Sequence, residues 1–290
     1  MRSTPSAQTS RPRPIAAGAA LILVALGTAL LVAGCRKPER PGPPVRPYPP
    51  IVAPLPPVAV VADQGFPGKW DTLDGIEPRV RAFVVGPADG APAAGIVLVS
   101  SSWGIGRGVR DLGRALAARG FAVVTPDILE GVEAASRLGM RELAAGISPA
   151  RAQEVILAGL ARLQGDMPGQ PVALVALGPG SAWAIGLGER ARPFSAIAFD
   201  TAALGEKDIA ALAGIGRPVL ALFGDDSSTY PLSRRIALDD AARAAGLALQ
   251  LYPVPGAGTE LFDVRASSFY PPAYDEALAR LEAFLRAPTR

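Results

Sequence analysis

From about residue 79 onward the chain alternates between two patterns of hydrophobic and polar positions. Short runs of small, β-branched and aromatic residues are typical of strands that are buried on both faces. Segments with apolar residues at helical spacing lie between these runs and often end at glycine. This alternation predicts an α/β fold with a mainly parallel, twisted sheet and helices on both faces. The predicted strands are 79–85, 95–101, 121–125, 171–177, 195–199, 218–223 and 247–252, and the predicted helices are 106–119, 149–164, 181–190, 232–245 and 272–286.

The stretch 171–188 combines a predicted buried strand, a glycine turn and a predicted helix. This layout is similar to the nucleophile elbow of α/β-hydrolases. In that motif the nucleophile is the central residue of five, and the first and last of the five are glycines. The turn reads GPGSA from residue 178, so Gly180 occupies the nucleophile slot. We expect a positive φ at Gly180 and expect the Ser181 hydroxyl, one residue late, to point away from a substrate carbonyl. A phosphate-binding turn is the alternative, but Trp183 stands where its third glycine would be.

Composition narrows the chemistry further, because the chain contains no histidine and a single cysteine. A disulfide within the chain and a thiolate metal cluster are therefore excluded. Carboxylates remain as strong metal ligands, and Asp225 with Asp226 is a candidate pair for a hard cation. Such a pair also commonly begins a turn or caps a helix. The sequence predicts no metal and no other cofactor.

Residues 1–34 have the pattern of a targeting segment, with three arginines before an apolar run at 15–31. Small residues then precede Cys35, which resembles the bacterial lipoprotein signal and implies a lipidated Cys35 as the mature N-terminus. An uncleaved transmembrane anchor is the alternative. Either arrangement tethers the protein to a membrane in the cell envelope. Arg36 stands where inner-membrane retention signals typically have Asp, so the resemblance implies the outer membrane, facing the periplasm.

Residues 35–65 are rich in proline and predict an extended, semi-rigid linker, so the folded domain is expected at 66–290. A docking site for SH3-type domains is the alternative role of such a segment. The whole chain has 29 basic and 26 acidic residues. Three of the basic residues lie in 1–34, which has no acid, so the remainder is neutral. A neutral domain gives no indication of nucleic acid as a partner.

Several stretches resemble the dienelactone hydrolase family. Residues 95–128, GIVLVSSSWGIGRGVRDLGRALAARGFAVVTPDI, share its Trp-Gly pair at Trp103 and its Thr-Pro-Asp strand end. Residues 217–258 and 270–285 are similar to its later strand, turn and closing helix. The resemblance implies an α/β-hydrolase fold and an esterase site with a Cys or Ser nucleophile, an Asp and a His.

The chain departs from that family pattern at every polar catalytic position. The nucleophile slot is Gly180, the acid slot is Ser227, the histidine slot is Thr259, and Ser101 replaces a further acidic residue. Acyl transfer through serine or a thiol needs a base within hydrogen-bond reach, which is usually histidine.

The sequence therefore predicts a membrane-tethered domain of this family that is catalytically inactive and binds a small ligand or an envelope protein. Two alternatives remain: an ester or lactone hydrolase built on Ser181 with Asp226, and a structural envelope lipoprotein. Backbone N–H groups near Ser102 and Ser181 are expected to form a pocket like an oxyanion hole. The candidate cleft-lining residues are Ser101, Ser102, Trp103, Ser181, Asp225 and Asp226.

Overall fold

The computed structural model describes residues 68–200, 204–225, 230–258, 261–262 and 269–287. The apolar runs of the sequence form the strands of one eight-stranded sheet. Cys35 and the segments 1–34 and 35–65 lie outside the described residues. The strands are β1 Lys69–Leu73, β2 Val80–Val85, β3 Ala94–Val99, β4 Phe121–Pro126, β5 Val172–Leu177, β6 Ile197–Asp200, β7 Val219–Gly224 and β8 Leu249–Val254.

The strand order is β1-β2-β4-β3-β5-β6-β7-β8. The strands from β4 to β8 in this order are parallel, whereas β2 pairs antiparallel with both β1 and β4. Val97 of β3 is in register with Val124 of β4 and with Leu174 of β5, which places β3 at the centre of the sheet. The parallel strands all end at the same edge, which we call the carboxyl edge and which is where ligands bind in open α/β sheets.

Helices cover both faces of the sheet and enclose two separate cores. Successive residues of β3 alternate between them, with Val97 and Val99 in one core and Ile96 and Leu98 in the other. The first core packs under α3, α5 and α6, and the second under α1 and α7. This architecture confirms the predicted fold class. The helices are α1 Arg107–Ala117, α2 Arg137–Gly146, α3 Pro149–Asp166, α4 Ser181–Ile185, α5 Glu206–Ile215, α6 Leu232–Ala244 and α7 Pro271–Arg286.

The predicted elements lie where the pattern placed them, apart from the segment after β5. The helix expected over 181–190 is wrong, because α4 ends at Ile185 after little more than one turn. A 3-10 turn follows at Gly188–Ala191, and Gly188 adopts φ +51°, a left-handed conformation that an α-helix does not contain. The pattern also missed β1, α2 and α5. Among the described residues, no helix combines the length and hydropathy needed to cross a membrane.

Candidate functional site

The turn at the end of β5 has a different backbone from the one that the sequence predicted. Gly178–Gly180 forms a 3-10 turn, and Gly180 has φ −61° and ψ −20°, which is ordinary helical geometry. The expected positive φ at Gly180 is therefore wrong. The left-handed residue is Gly178, with φ +46°, because the chain reverses direction there and then runs straight into α4.

Gly180 is a glycine for a steric reason. A Cβ built on it would lie 2.3 Å from the carbonyl oxygen of Ser100 and 3.2 Å from Val99 Cγ1. Real Cβ atoms essentially never come within 3.0 Å of another heavy atom of this kind. The turn after β5 therefore packs directly against the end of β3. A side chain at position 180 would therefore fit only if the ends of β3 and β5 moved apart.

Ser181, the next residue, is fully buried at 0% exposure. Its hydroxyl has no hydrogen-bond partner within the described part of the chain. Its backbone N–H donates to the carbonyl groups of Gly178 and Pro179, which closes the 3-10 turn. The turn itself therefore uses this donor, and the expected oxyanion-like pocket of N–H groups near Ser102 and Ser181 stays a prediction.

The segment after β3 is folded back on itself by local hydrogen bonds. Trp103 N–H donates to the Ser101 hydroxyl at 3.3 Å, and Gly104 N–H donates to the Ser101 carbonyl at 3.0 Å. Ser102 is buried, whereas Ser101 and Trp103 are partly exposed. Gly104 has φ +90°, and a Cβ on it would lie 2.5 Å from the Val132 carbonyl oxygen. The loop after β4 therefore packs against this segment.

Asp225, which directly follows β7, is exposed and acts in a turn. Its Oδ1 accepts a hydrogen bond of 2.8 Å from the N–H of Gly256, and its own N–H donates to the Val254 carbonyl. These contacts support the turn interpretation rather than the metal one. Within the described ranges, no three acidic or thiol side chains come close enough to hold a metal ion. Asp226, Ser227 and Thr259 lie outside the described residues.

Two buried acids at the carboxyl edge were not singled out from the sequence. Asp127 follows β4 with 2% exposure and accepts hydrogen bonds from Arg81 at 2.9 and 3.2 Å. The Arg81 guanidinium also lies over the Trp70 ring at 4.3 Å. Asp200 ends β6 and is buried as well. The signal for both was the carboxylate directly after an apolar strand, where parallel strands place functional groups.

Buried hydroxyls are the other shared feature of this edge. They follow or end three neighbouring strands, β4, β3 and β5, and none has a hydrogen-bond partner among the described protein atoms. Buried polar groups in native proteins normally have a partner, so enclosed water or a bound molecule is the usual explanation for such groups. The site offers hydrogen-bonding groups, without a paired nucleophile and base among the described residues. These hydroxyls belong to Ser100, Ser102, Thr125 and Ser181.

A cavity of about 360 Å³ lies at the opposite edge of the sheet, before β6, β7 and β8. Its walls include Ala196, Leu247 and Phe284, with Arg217 beside them. The Arg217 guanidinium donates to the Arg192 carbonyl at 2.8 and 2.9 Å. The cavity has no acid in its lining and shares no residue with the predicted cleft.

The model of the dienelactone hydrolase family matches residues 80–287. The chain belongs to the dienelactone hydrolase family. Its domain is therefore a hydrolase-type domain of that family, as the resemblance implied. No curated protein sequence matches the chain at a significant level.

Solved structures with the same fold are numerous, and the three described below share little sequence with the chain. A candidate dienelactone hydrolase from Klebsiella pneumoniae has a TM-score of 0.66 and 17% identity, over 76% of this chain and 98% of its own. A promiscuous, dienelactone hydrolase-like phosphotriesterase from metagenomic libraries has a TM-score of 0.63 and 18% identity, over 75% and 97%. The dienelactone hydrolase of Anabaena variabilis has a TM-score of 0.56 and 16% identity, over 78% and 100%. At these identities the similarity concerns the fold.

Proposed function

We propose that this protein is a non-catalytic member of the dienelactone hydrolase family that is tethered to the cell envelope through lipidated Cys35. In this proposal it acts by binding a small ligand or a partner protein. The observation that carries the proposal is the 2.3 Å separation between a Cβ on Gly180 and the Ser100 carbonyl oxygen. That contact favours glycine in the one slot where the family needs a nucleophile.

The groups around Gly180 support the same proposal. Acyl transfer needs a nucleophile, a base that contacts it and donors for the developing oxyanion. Ser181 is buried without a hydrogen-bond partner in the described part of the chain, and its N–H is used by the turn. The chain has no histidine to act as a base.

Lysine is the common replacement for histidine in serine hydrolases, and the placement of the two lysines in the described part of the chain also supports the proposal. Lys69 lies on β1 at the edge of the sheet, 3.5 Å from Asp71. Lys207 is exposed in the first turn of α5. Neither bonds to Ser181, whose hydroxyl has no partner among the described residues. Within the described residues, the alternative hydrolase built on Ser181 therefore has no lysine beside its hydroxyl; Lys37 and Asp226 lie outside them.

Turnover by the full-length protein tests the proposal. We expect no hydrolysis of simple esters, lactones or thioesters above the buffer rate, in wild type and in Ser181→Ala alike. Ser148→Ala is the matched control, because Ser148 is exposed and its hydroxyl caps no helix N–H. Turnover that Ser181→Ala abolishes and Ser148→Ala preserves would contradict the proposal and establish the hydrolase alternative. Turnover that survives both changes would contradict it as well, and would indicate a different catalytic site.

A further inference from the structure

Large apolar side chains that are exposed to solvent concentrate at one edge of the domain. Trp70, on the edge strand β1, is the exception among those in the described ranges, and its ring is partly covered by Phe83 and Arg81. The others follow the carboxyl ends of β4, β7 or β8. We call these five residues the apolar rim: Val132, Leu138, Leu232, Ile236 and Tyr270.

Contacts place the rim on both sides of the candidate site. The loop at Val132 packs against Gly104, beside the turn that follows β3. On the other side, the Tyr270 ring lies 3.2 Å from a Cβ built on Gly256. The N–H of Gly256 donates to Asp225. These contacts connect both parts of the rim to the same edge of the sheet.

The first two turns of α6 show what kind of surface the rim presents. Leu232 and Ile236 are four residues apart on one helical face and are 69% and 53% exposed. Arg234 and Arg235 lie between them in sequence, but their guanidinium groups donate to the carbonyl groups of Leu204 and Tyr230. The exposed face of these two turns is therefore apolar, and residues 230–236 contain no acid. On α2, the exposed Arg141 follows Leu138 by one turn. Protruding apolar side chains with an exposed basic residue nearby, here Arg141, are typical of surfaces that rest on a phospholipid interface, and an interfacial tyrosine is as well.

We infer that the domain rests on the lipid bilayer through this apolar rim, with the carboxyl edge of the sheet facing the membrane. The inference uses the proposed tether and adds an orientation to it. A linker at 36–65 of about thirty residues, extended at about 3.1 Å per residue, reaches a maximum of roughly 90 Å. Because tethering raises the effective concentration of the surface, a few weak apolar contacts suffice for docking. A ligand for the candidate site would then come from the membrane or its interface.

Site-specific quenching in the full-length, lipidated protein tests this orientation. The protein is reconstituted in phosphatidylcholine vesicles, with and without phosphatidylglycerol, that carry a doxyl label on the acyl chain. A nitrobenzoxadiazole fluorophore is attached at Leu232→Cys, Ile236→Cys or Leu138→Cys. Gln250→Cys is the matched control, because Gln250 is exposed near the amino end of β8. The parent protein, whose Cys35 is blocked by lipid, gives the labelling background.

We expect several-fold stronger quenching at the three rim positions than at residue 250. We also expect Leu232→Ser combined with Ile236→Ser to reduce the quenching at position 138. Both residues of that pair are more than half exposed, so the pair leaves the core intact. If the protein floats with the vesicles but its rim positions are not quenched, or are quenched no more than residue 250, the proposed orientation is wrong and the tether remains. A protein partner would then be the alternative occupant of the rim. Failure to float would overturn the tether and the docking together.

Discussion

Replacing Gly180 by alanine is the sharpest test of the turn geometry. The change adds one methyl group, at a residue whose φ of −61° alanine adopts without strain. Any loss of stability must therefore come from packing. The added Cβ would lie 2.3 Å from the Ser100 carbonyl oxygen, 3.2 Å from the Ser100 carbonyl carbon and 3.2 Å from Val99 Cγ1.

The expected loss of stability depends on how far the Ser100 carbonyl group must move. The Ser100 oxygen must retreat by about 0.7 Å before the contact reaches the 3.0 Å that real Cβ atoms respect. That oxygen is main chain, and Val99 just before it is held in register with Ala176 of β5. Overpacking of this kind costs about 1–3 kcal/mol, and a rigid main-chain neighbour favours the upper end. The smaller entropy of the unfolded alanine chain offsets about 0.5–1 kcal/mol. We expect a net loss of about 2 kcal/mol.

Denaturant unfolding of the full-length protein measures this loss, with Gly165→Ala as the matched control. Gly165 lies in α3 with nothing within 4 Å of its Cβ position, so alanine there meets no neighbour. Because alanine favours the helix over glycine, we expect that control to stabilise the protein by about 0.5 kcal/mol. A neutral or stabilising Gly180→Ala would refute the close approach between the turn and β3.

Three further predictions concern other parts of the chain. Burial raises the pKa of the Tyr230 hydroxyl from 10.0 to about 12. The folded state therefore loses about 2 kcal/mol as pH rises from 10 to 12, and Tyr230→Phe should flatten this alkaline loss in pH-dependent unfolding. Arg81→Gln should destabilise the domain by about 2 kcal/mol in a denaturant melt, because buried Asp127 loses its ion-pair partner; an unchanged midpoint would refute this role. Cys35→Ala should abolish incorporation of a labelled fatty acid, and equal labelling would refute the lipid anchor.

The central strands β3, β5 and β7 were predictable because each is an apolar run buried on both faces, which few other structures accommodate. The carboxyl edge as the location of functional groups followed from the parallel order alone. The backbone conformation of Gly180 could not be predicted from the sequence. A glycine in a turn is equally consistent with a positive φ and with close packing against a neighbouring main chain. The sequence around residue 180 does not reveal that Ser100, eighty positions away, presses against it.

The missed elements have comparable causes. β1 is an edge strand in which Leu73 is the one fully buried residue, so its pattern lacks the continuous apolar run that identified the others. The helix predicted over 181–190 has suitable residues at most positions but contains Gly186 and Gly188. Glycine lowers helix stability by about 1 kcal/mol relative to alanine, and two within three residues end α4 early.

The turn after β5 also bears on how the site relates to that of the family. A catalytic elbow must present a side chain at position 180, leave the next N–H free and provide a base. Here a side chain at position 180 would clash with the Ser100 carbonyl oxygen. The Ser181 N–H is not free, because it donates to the Gly178 carbonyl. The steric clash and the occupied N–H have one origin. The helical backbone at Gly180 brings the turn against β3 and also closes the turn through the Ser181 N–H. Gly180→Ser alone would therefore leave the N–H bonded and the base missing, while adding the same steric conflict as alanine.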